Sequence, residues 1–311
     1  MLEVSFSSLS QYRLCPKRYY WKYVEQLTPR KASKGLILGK TIHEAFDSYY
    51  KGLKDKDIVQ FIDDTYKSIL HELPPEEQEQ CYLDSKTCLG MFVNFPFSQL
   101  RFDAIESEKQ FTVPLVRGIR FIGRVDGCVE ESGENWIREF KTTGEVRSMF
   151  ENRASVSGQA TAYVWGILQA YGISVVGVIY DAIRKPRLLK KQSEDMYEFG
   201  QRIYLDYCDP RKQRSYYYRY KTYRTDKDIL LWLEDTISTA KTVRKALQCR
   251  DFPRNRGNCW VFNQECLYRR ICFERKPDPM IIDLLYERGG NDVKERRTTS
   301  GTTGKDEALS G

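Results

Sequence analysis

Gly123-Arg124-Val125-Asp126-Gly127 and Ile137-Arg138-Glu139-Phe140-Lys141-Thr142-Thr143 are the stretches whose reading decides the fold. Asp126 closes an apolar, strand-like run, Ile119-Arg120-Phe121-Ile122-Gly123-Arg124-Val125, and the polar segment 130–135, with Ser132-Gly133 inside it, has the composition of a hairpin turn. Folding that hairpin brings Asp126 beside Glu139. Strand alternation sends residues i and i+2 to one face, so Glu139 and Lys141 project together while Phe140 points into the core. Two adjacent carboxylates repel unless a divalent cation lies between them, and hard oxygen donors suit Mg²⁺ or Mn²⁺. Lys141 would then hold or deprotonate an attacking water. The pattern reads as a metal-dependent phosphodiesterase site, although an acid-x-Lys tripeptide is common and most hairpin carboxylates are solvated surface charges. The neighbours decide between these readings.

Working outward, 311 residues can bury a sizeable core in one large or two modest domains. The chain has no run of 18 apolar residues and no basic-then-apolar leader at its start, so a soluble, unexported, cytoplasmic protein without membrane contact is expected. A net charge of +7, from 50 basic against 43 acidic residues, permits nucleic-acid binding without requiring it. Nine cysteines form an odd set in a chain without an export signal, which favours reduced thiols or metal ligands over disulfides.

Hydroxyl-rich Ser5 opens a segment predicted as a short helix to Tyr23, carrying the basic-aromatic run Lys17-Arg18-Tyr19-Tyr20-Trp21-Lys22-Tyr23. After a linker over 28–35, periodicity predicts helices at 40–53, 58–70 and 76–101, a helical insertion of about residues 44–103. Strands are predicted at 106–113, 119–129 and 136–141, followed by a helix over 157–171 and a buried strand over 175–181. A second strand region is expected at 196–208 and 215–223, then a helix over 227–247. A polar tail, 291–311, reads as disordered, leaving one domain over 1–290. There is no internal repeat.

Several residues add chemistry to the hairpin. His43 lies within a helical pattern, where a neutral imidazole would complete an Asp/Glu metal site, although a lone helical histidine is usually structural. Gln159 and Tyr163 stand at i and i+4 and share a helix face. Glu106, at the start of the strand before the hairpin, either lines the same pocket or is solvated. Cys259, Cys266 and Cys272 lie within a turn-rich C-terminal segment, and Cys15 sits in Leu14-Cys15-Pro16. Four thiolates can hold tetrahedral Zn²⁺ or a [4Fe-4S] cluster and would join the two chain ends. Tyr216, Tyr218 and Tyr220 are expected on one strand face with Tyr217, Arg219 and Lys221 on the other, either as a base-stacking surface or packed against the following helix. The basic stretches 184–187 and 211–214 suit phosphate contact or a solvated loop.

Taken in order, these motifs resemble the PD-(D/E)XK nuclease superfamily, in its RecB-like branch with an iron-sulfur cluster, which includes CRISPR-associated exonucleases. The resemblance runs from Ser7-Ser8-Leu9-Ser10-Gln11-Tyr12-Arg13-Leu14-Cys15-Pro16 and Gly39-Lys40-Thr41-Ile42-His43-Glu44, through the two acidic motifs and Gly158-Gln159-Ala160-Thr161-Ala162-Tyr163, to the late cysteines. These late cysteines stand further apart than is usual at the first interval. The resemblance implies an α/β fold, a mixed sheet flanked by helices, with the helical insertion and the cluster-stapled ends walling a passage for DNA. It implies that His43, Asp126, Glu139 and the Phe140 carbonyl bind Mg²⁺ or Mn²⁺, that Lys141 acts on water, and that Gln159 and Tyr163 support the site. Cys15, Cys259, Cys266 and Cys272 would ligate [4Fe-4S]. The expected activity is a DNA exonuclease acting on single strands or duplex ends in recombination, repair or foreign-DNA processing, with protein partners from such a complex. The competing expectations are a catalytically silent DNA-end binding or assembly subunit, and zinc in the cysteine site.

Overall fold

The structure, a computed structural model, describes residues 1–30, 34–96, 103–261, 264–274 and 276–289. The expected tail, 291–311, and the side chain of Glu106 lie outside the described residues. Contacts divide the chain into two compact units, Met1–Phe6 with Ala32–Thr242, and Ser7–Lys31 with Val243–Gly311.

The first unit is built on a mixed sheet. β1 (Leu2–Val4) runs parallel to the start of β4 (Ile119–Glu131), pairing Leu2 with Ile119 and Val4 with Phe121. β3 (Asp103–Val116) pairs antiparallel along β4, and β4 turns into β5 (Glu134–Thr143) through Ser132 and Gly133. Both turn residues have positive φ, 56° and 79°, as a two-residue hairpin turn matched to strand twist requires. β5 then runs parallel to β6 (Gly177–Arg184), which pairs antiparallel with β7 (Tyr217–Tyr223). The crossover between β5 and β6 carries α6 (Arg147–Ser155) and α7 (Gly158–Tyr171), as a parallel pair demands. α7 starts on a Ser157 cap, whose Oγ accepts from the Ala160 N–H, and stops at Gly172 with φ 68°.

α3 (Lys34–Tyr50), α4 (Asp55–Glu72) and α5 (Pro75–Val93) are helices in the region where helices at 40–53, 58–70 and 76–101 are expected, the first beginning six residues earlier. Leu38, Ile42 and Phe46 of α3 share one core with Ile58 and Ile62 of α4 and Met91 and Phe92 of α5, and Phe140 reaches this core from β5. The third helix ends at Val93, short of the expected 101, and residues 97–102 are outside the described set.

Residues 196–208, expected as strand, form a helix, α8 (Met196–Cys208). Phe199, Ile203 and Tyr207 recur every four residues and are all buried in the core shared by α3, α4 and α5. Asp195 and Glu198 also form a reciprocal capping box at its start. The aromatic and branched composition suggests strand, but spacing and cap prevail. Tyr216 likewise belongs to a short helical turn, α9 (Gln213–Tyr216), rather than to the strand.

The second unit gathers both chain ends. The expected helix to Tyr23 is three pieces: part of α1 (Phe6–Leu14), α2 (Pro16–Tyr19) after the Pro16 break, and a π-turn over Tyr20–Val24. β2 (Leu27–Pro29), overlapping the start of the expected linker, pairs with β10 (Tyr286–Arg288). Trp21, Leu27, Tyr268, Ile271, Ile282 and Tyr286 are its core, and the buried Tyr268 hydroxyl donates to the Leu27 carbonyl. α10 (Asp226–Cys249) gives its last residues to this unit, and α11 (Arg269–Cys272) and α12 (Pro279–Leu285) complete it together with the short β8 (Trp260–Val261) and β9 (Gln264–Glu265).

Candidate active site

The β4–β5 ladder closes at Gly127 opposite Arg138, so Asp126 and Glu139 are the first residues beyond it, where the strands part. The Phe140 N–H donates to Asp126 Oδ2 at 3.0 Å. His43 Nδ1, on α3, lies 3.4 Å from that same oxygen. Lys141 Nζ donates to Glu139 Oε1 at 2.6 Å, as the alternation of β5 requires, while Phe140 lies against Phe46 of α3 with ring centroids 4.6 Å apart.

The three charged side chains differ in exposure. Lys141 keeps about a third of its side chain exposed and Asp126 about a fifth, whereas Glu139 is shut in at 5%. Burial, and then the neighbouring Asp126 carboxylate, push the Glu139 carboxyl up to about 7, with Lys141 only partly offsetting them. For Asp126, burial also opposes ionisation, but the contact with His43, the Lys141 charge and the Phe140 N–H outweigh it and hold the carboxyl below its ordinary value. Burial disfavours the Lys141 ammonium, yet the hydrogen bond and charge of Glu139, with Asp126 behind, raise it. The pair thus has one carboxyl poised to protonate and one kept ionised.

α7 supplies the neighbouring wall. Gln159 Nε2 donates to the Tyr163 hydroxyl at 2.8 Å, so the expected i, i+4 pair is formed. Burial, then the nearby Glu139 and Asp126 charges, hold the Tyr163 phenol well above its ordinary value, keeping it protonated.

Two further residues of the site carry no sequence signal of their own. Tyr180 of β6 stands in register with Glu139, and its phenol is raised by burial and by Glu139 while hydrogen-bonding the Ser157 side chain. Its place in an apolar run signals only a buried strand, and the cross-strand register alone puts it at the site. Phe150 packs edge-on to Tyr180 at 5.7 Å, from α6, a helix that the periodicity does not announce.

The tyrosine strand divides differently from expectation. Tyr217 is buried, its hydroxyl directed at the Gly90 and Met91 carbonyls. Tyr218 is buried against Phe150 on the other face. Arg219 makes a bidentate pair with buried Asp181 at 2.7 and 3.0 Å, and Lys221 pairs with Glu131 at 2.5 Å. Tyr216 and Tyr217 thus pack against Tyr207 of α8, Tyr217 also against α5, and Tyr218 against α6. In the 184–187 stretch, exposed Arg187 donates to the Gly144 carbonyl at 2.8 Å.

In the second unit, burial raises the Cys266 thiol, with the nearby Cys15 and Cys272 contributing. Burial raises Cys272 too, with Cys15 again among its neighbours, against the lowering influence of Arg254 and Trp21. Asn255 joins the remaining positions: its N–H donates to Cys15 Sγ at 3.4 Å, and its carbonyl is 4.0 Å from Cys259 Sγ. Cys266 N–H donates to the Cys259 carbonyl at 2.9 Å. Cys81, Cys88 and Cys128 are buried elsewhere, in the first unit.

Among the described residues, no group of three or more His, Cys, Asp or Glu is disposed to hold a metal ion. His43, Asp126 and Glu139 are brought together, but their donor atoms are engaged internally: Glu139 Oε1 by Lys141, and Asp126 Oδ2 by the Phe140 N–H with His43 beside it. No helix among the described residues is long and apolar enough to cross a membrane.

Comparison with solved structures finds a protein from Eubacterium rectale described as a "Putative exonuclease". It shares 11% identity with this chain, with 90% of this chain and 91% of that one covered and a TM-score of 0.50. At that identity the likeness is one of fold. No curated protein matches the sequence significantly. The family model of the PD-(D/E)XK nuclease superfamily matches residues 3–273, spanning the sheet, the Asp126 and Glu139-Phe140-Lys141 segments and the α7 pair. By that match the chain belongs to the PD-(D/E)XK nuclease superfamily.

Proposed function

We propose that this nuclease is a Mg²⁺- or Mn²⁺-dependent deoxyribonuclease, an exonuclease working on single-stranded DNA or DNA ends. The observation that carries this reading is Glu139 Oε2, a buried carboxylate oxygen with no hydrogen-bond partner, beside a second carboxylate kept ionised. An orphaned buried acceptor of this kind costs stability unless something satisfies it, and a hard cation would. Asp126, Glu139, the Phe140 carbonyl and His43 would hold the ion. When bound, a divalent cation polarises a phosphoryl oxygen and lowers the pKa of water.

The protein's own groups do the rest. Lys141, whose ammonium form the neighbouring Glu139 and Asp126 favour in the absence of metal, holds an attacking water or a phosphate oxygen by hydrogen bonds or takes the proton of that water. Gln159 and Tyr163 present an amide and a protonated phenol that position Glu139 and the substrate backbone. His43 fixes the orientation of Asp126 from the α3 side.

The same reading places the chain in the RecB-like branch as one nuclease domain over residues 1–290, with Cys15, Cys259, Cys266 and Cys272 ligating a [4Fe-4S] cluster. Its support is the convergence of three thiols with a fourth tied in through Asn255. It includes a cytoplasmic location and partners in recombination, repair or foreign-DNA processing. The test is degradation of linear single-stranded DNA with and without Mn²⁺, with Asp126→Ala and Lys141→Ala as controls. Metal-dependent cleavage lost in both variants is expected. No cleavage by pure, cluster-loaded protein would overturn the enzyme reading in favour of a silent DNA-end binding subunit.

A further inference from the structure

A cavity of about 360 Å³ opens beside the active site, within the ~300–1,000 Å³ usual for small-ligand sites. One end is formed by Lys141 and Gln159, already assigned to the phosphodiester site. The remaining wall is different in kind. Phe6, Phe150, Ala154 and Val156 make it apolar, and the Tyr180 and Ser157 side chains add polar edges. Arg153 stands at the lining too, but it is paired with Glu145 at 2.9 Å, so its charge is balanced locally. Gly158 and Gln159 bring first-turn N–H groups of α7 to one edge, where they can meet a phosphate or an acceptor on a base, while most of the remaining wall is apolar. A flat group with apolar faces and a hydrogen-bonding edge matches it.

We infer that this cavity receives the base of one unpaired nucleotide flanking the scissile phosphate, an assignment that rests on the nuclease reading. Because the cavity adjoins Lys141, a base seated there is attached to a phosphate at the Asp126–Glu139 site. A base stacked and paired inside a duplex cannot enter such a recess without first leaving the helix. The enzyme therefore selects strands that offer an unpaired nucleotide: single strands, overhangs or frayed ends. Val156, about four-fifths exposed at the rim, is the one apolar residue of the wall whose enlargement would block entry without disturbing the core.

The test uses the full-length protein and a set of four-nucleotide single strands in which each residue in turn is abasic. Binding is read by fluorescence anisotropy in EDTA, and cleavage is mapped separately in Mn²⁺. Removing the base at one position is expected to weaken binding by roughly five- to hundredfold, the range of a base contact, with little effect elsewhere. The cleaved bond should adjoin that position, and Val156→Trp should erase the difference. Equal binding of every abasic strand and the intact strand overturns the base pocket whatever the cleavage result. Position-dependent binding without any metal-dependent cleavage would instead keep the pocket and sink the nuclease reading. Should Val156→Trp fail to fold, by circular dichroism, the abasic series on the wild-type protein decides alone.

Discussion

The carboxylate site and the cysteine region are both collections of a few reactive side chains, but they are positioned by different physics. Asp126, Glu139 and Lys141 are placed by strand alternation, by a two-residue turn and by a ladder that ends one residue short of them. Cys15 precedes the Pro16 break, Cys259 and Cys266 flank the two-residue strands β8 and β9, and Cys272 ends the four-residue helix α11, elements joined largely by loop hydrogen bonds. A regular sheet keeps its geometry without a ligand. Elements this short are held less by regular ladders than a sheet is, so the cluster proposed for these cysteines would contribute more to ordering them than a cation would to the sheet. Two such sites should respond in opposite ways to loss of a metal: the first loses chemistry and keeps its fold, the second loses fold.

The sharpest separation should come from Asp126→Ala and Lys141→Ala. Each is expected to lower metal-dependent cleavage by about a hundred- to ten-thousandfold, the usual contribution of a positioned charge or proton donor. Asp126→Ala removes a repulsion on buried Glu139 but also the contacts with His43, Lys141 and the Phe140 N–H that favour the ionised carboxylate, so a small fall in the thermal midpoint is expected. Lys141→Ala, which leaves Glu139 Oε1 without its hydrogen bond, should lower it further while the fold is retained. A collapse of the fold in either variant would show that the site is structural and break the contrast. Next in size is Cys272→Ser. It should abolish a visible absorption band that bleaches on reduction and lower the thermal midpoint, with the first unit retaining its secondary structure. A colourless wild-type protein carrying stoichiometric zinc would replace the cluster by zinc while leaving the contrast intact.

The same difference explains what can be read in the sequence. The β4–β5 hairpin is legible because its signals are local: a period of two, a Ser-Gly turn and an apolar run ending in Asp126. The α7 pair is legible for the same reason, with a Ser cap and an i, i+4 spacing. Tyr180 is not, because its approach to Glu139 depends on the register of a parallel pair whose strands are separated by two helices. α8 misleads because Tyr, Phe and Ile suggest strand when counted, although Phe199, Ile203 and Tyr207 recur at helical spacing. β1 is three residues long and is defined only by the partner it finds in β4.

A smaller effect distinguishes the two carboxyl groups within the site. Glu139, ordinarily near 4.5, titrates at about 7 without metal, mainly because it is buried. A folded value above the unfolded one means that protonated Glu139 favours the fold fully below pH 4.5, and that this contribution is lost as pH rises through about 7. The metal needs the carboxylate, so its affinity should rise with pH and level off near 7, falling about tenfold per pH unit below that. Asp126 has the opposite sign. Its lowered value gives stability that is present above the ordinary carboxylate range and is lost only as pH drops beneath it. Isothermal titration with Mn²⁺ from about pH 5.5 to about pH 8 reads the slope, and a flat profile would show that Glu139 is not a ligand. Glu139→Gln should remove the slope along with most of the affinity.

The mildest perturbation tests whether the sheet, rather than the turn, sets the site. Gly133 has φ 79° and open space where a Cβ would stand, so Gly133→Ala meets no clash and costs only the left-handed backbone, about 1 kcal/mol. The register of β4 on β5 is fixed independently, by Cys128 opposite Ile137 and Val129 opposite Trp136, all four buried on the two covered faces of the sheet, so a slip by one residue would exchange side chains between two differently packed layers. Chemical denaturation should therefore show a lower midpoint with an unchanged slope, and metal-dependent cleavage should be preserved. If activity fell in parallel with stability, the turn itself would be holding Asp126 against Glu139, and the carboxylate site would be as dependent on a loop as the cysteines are.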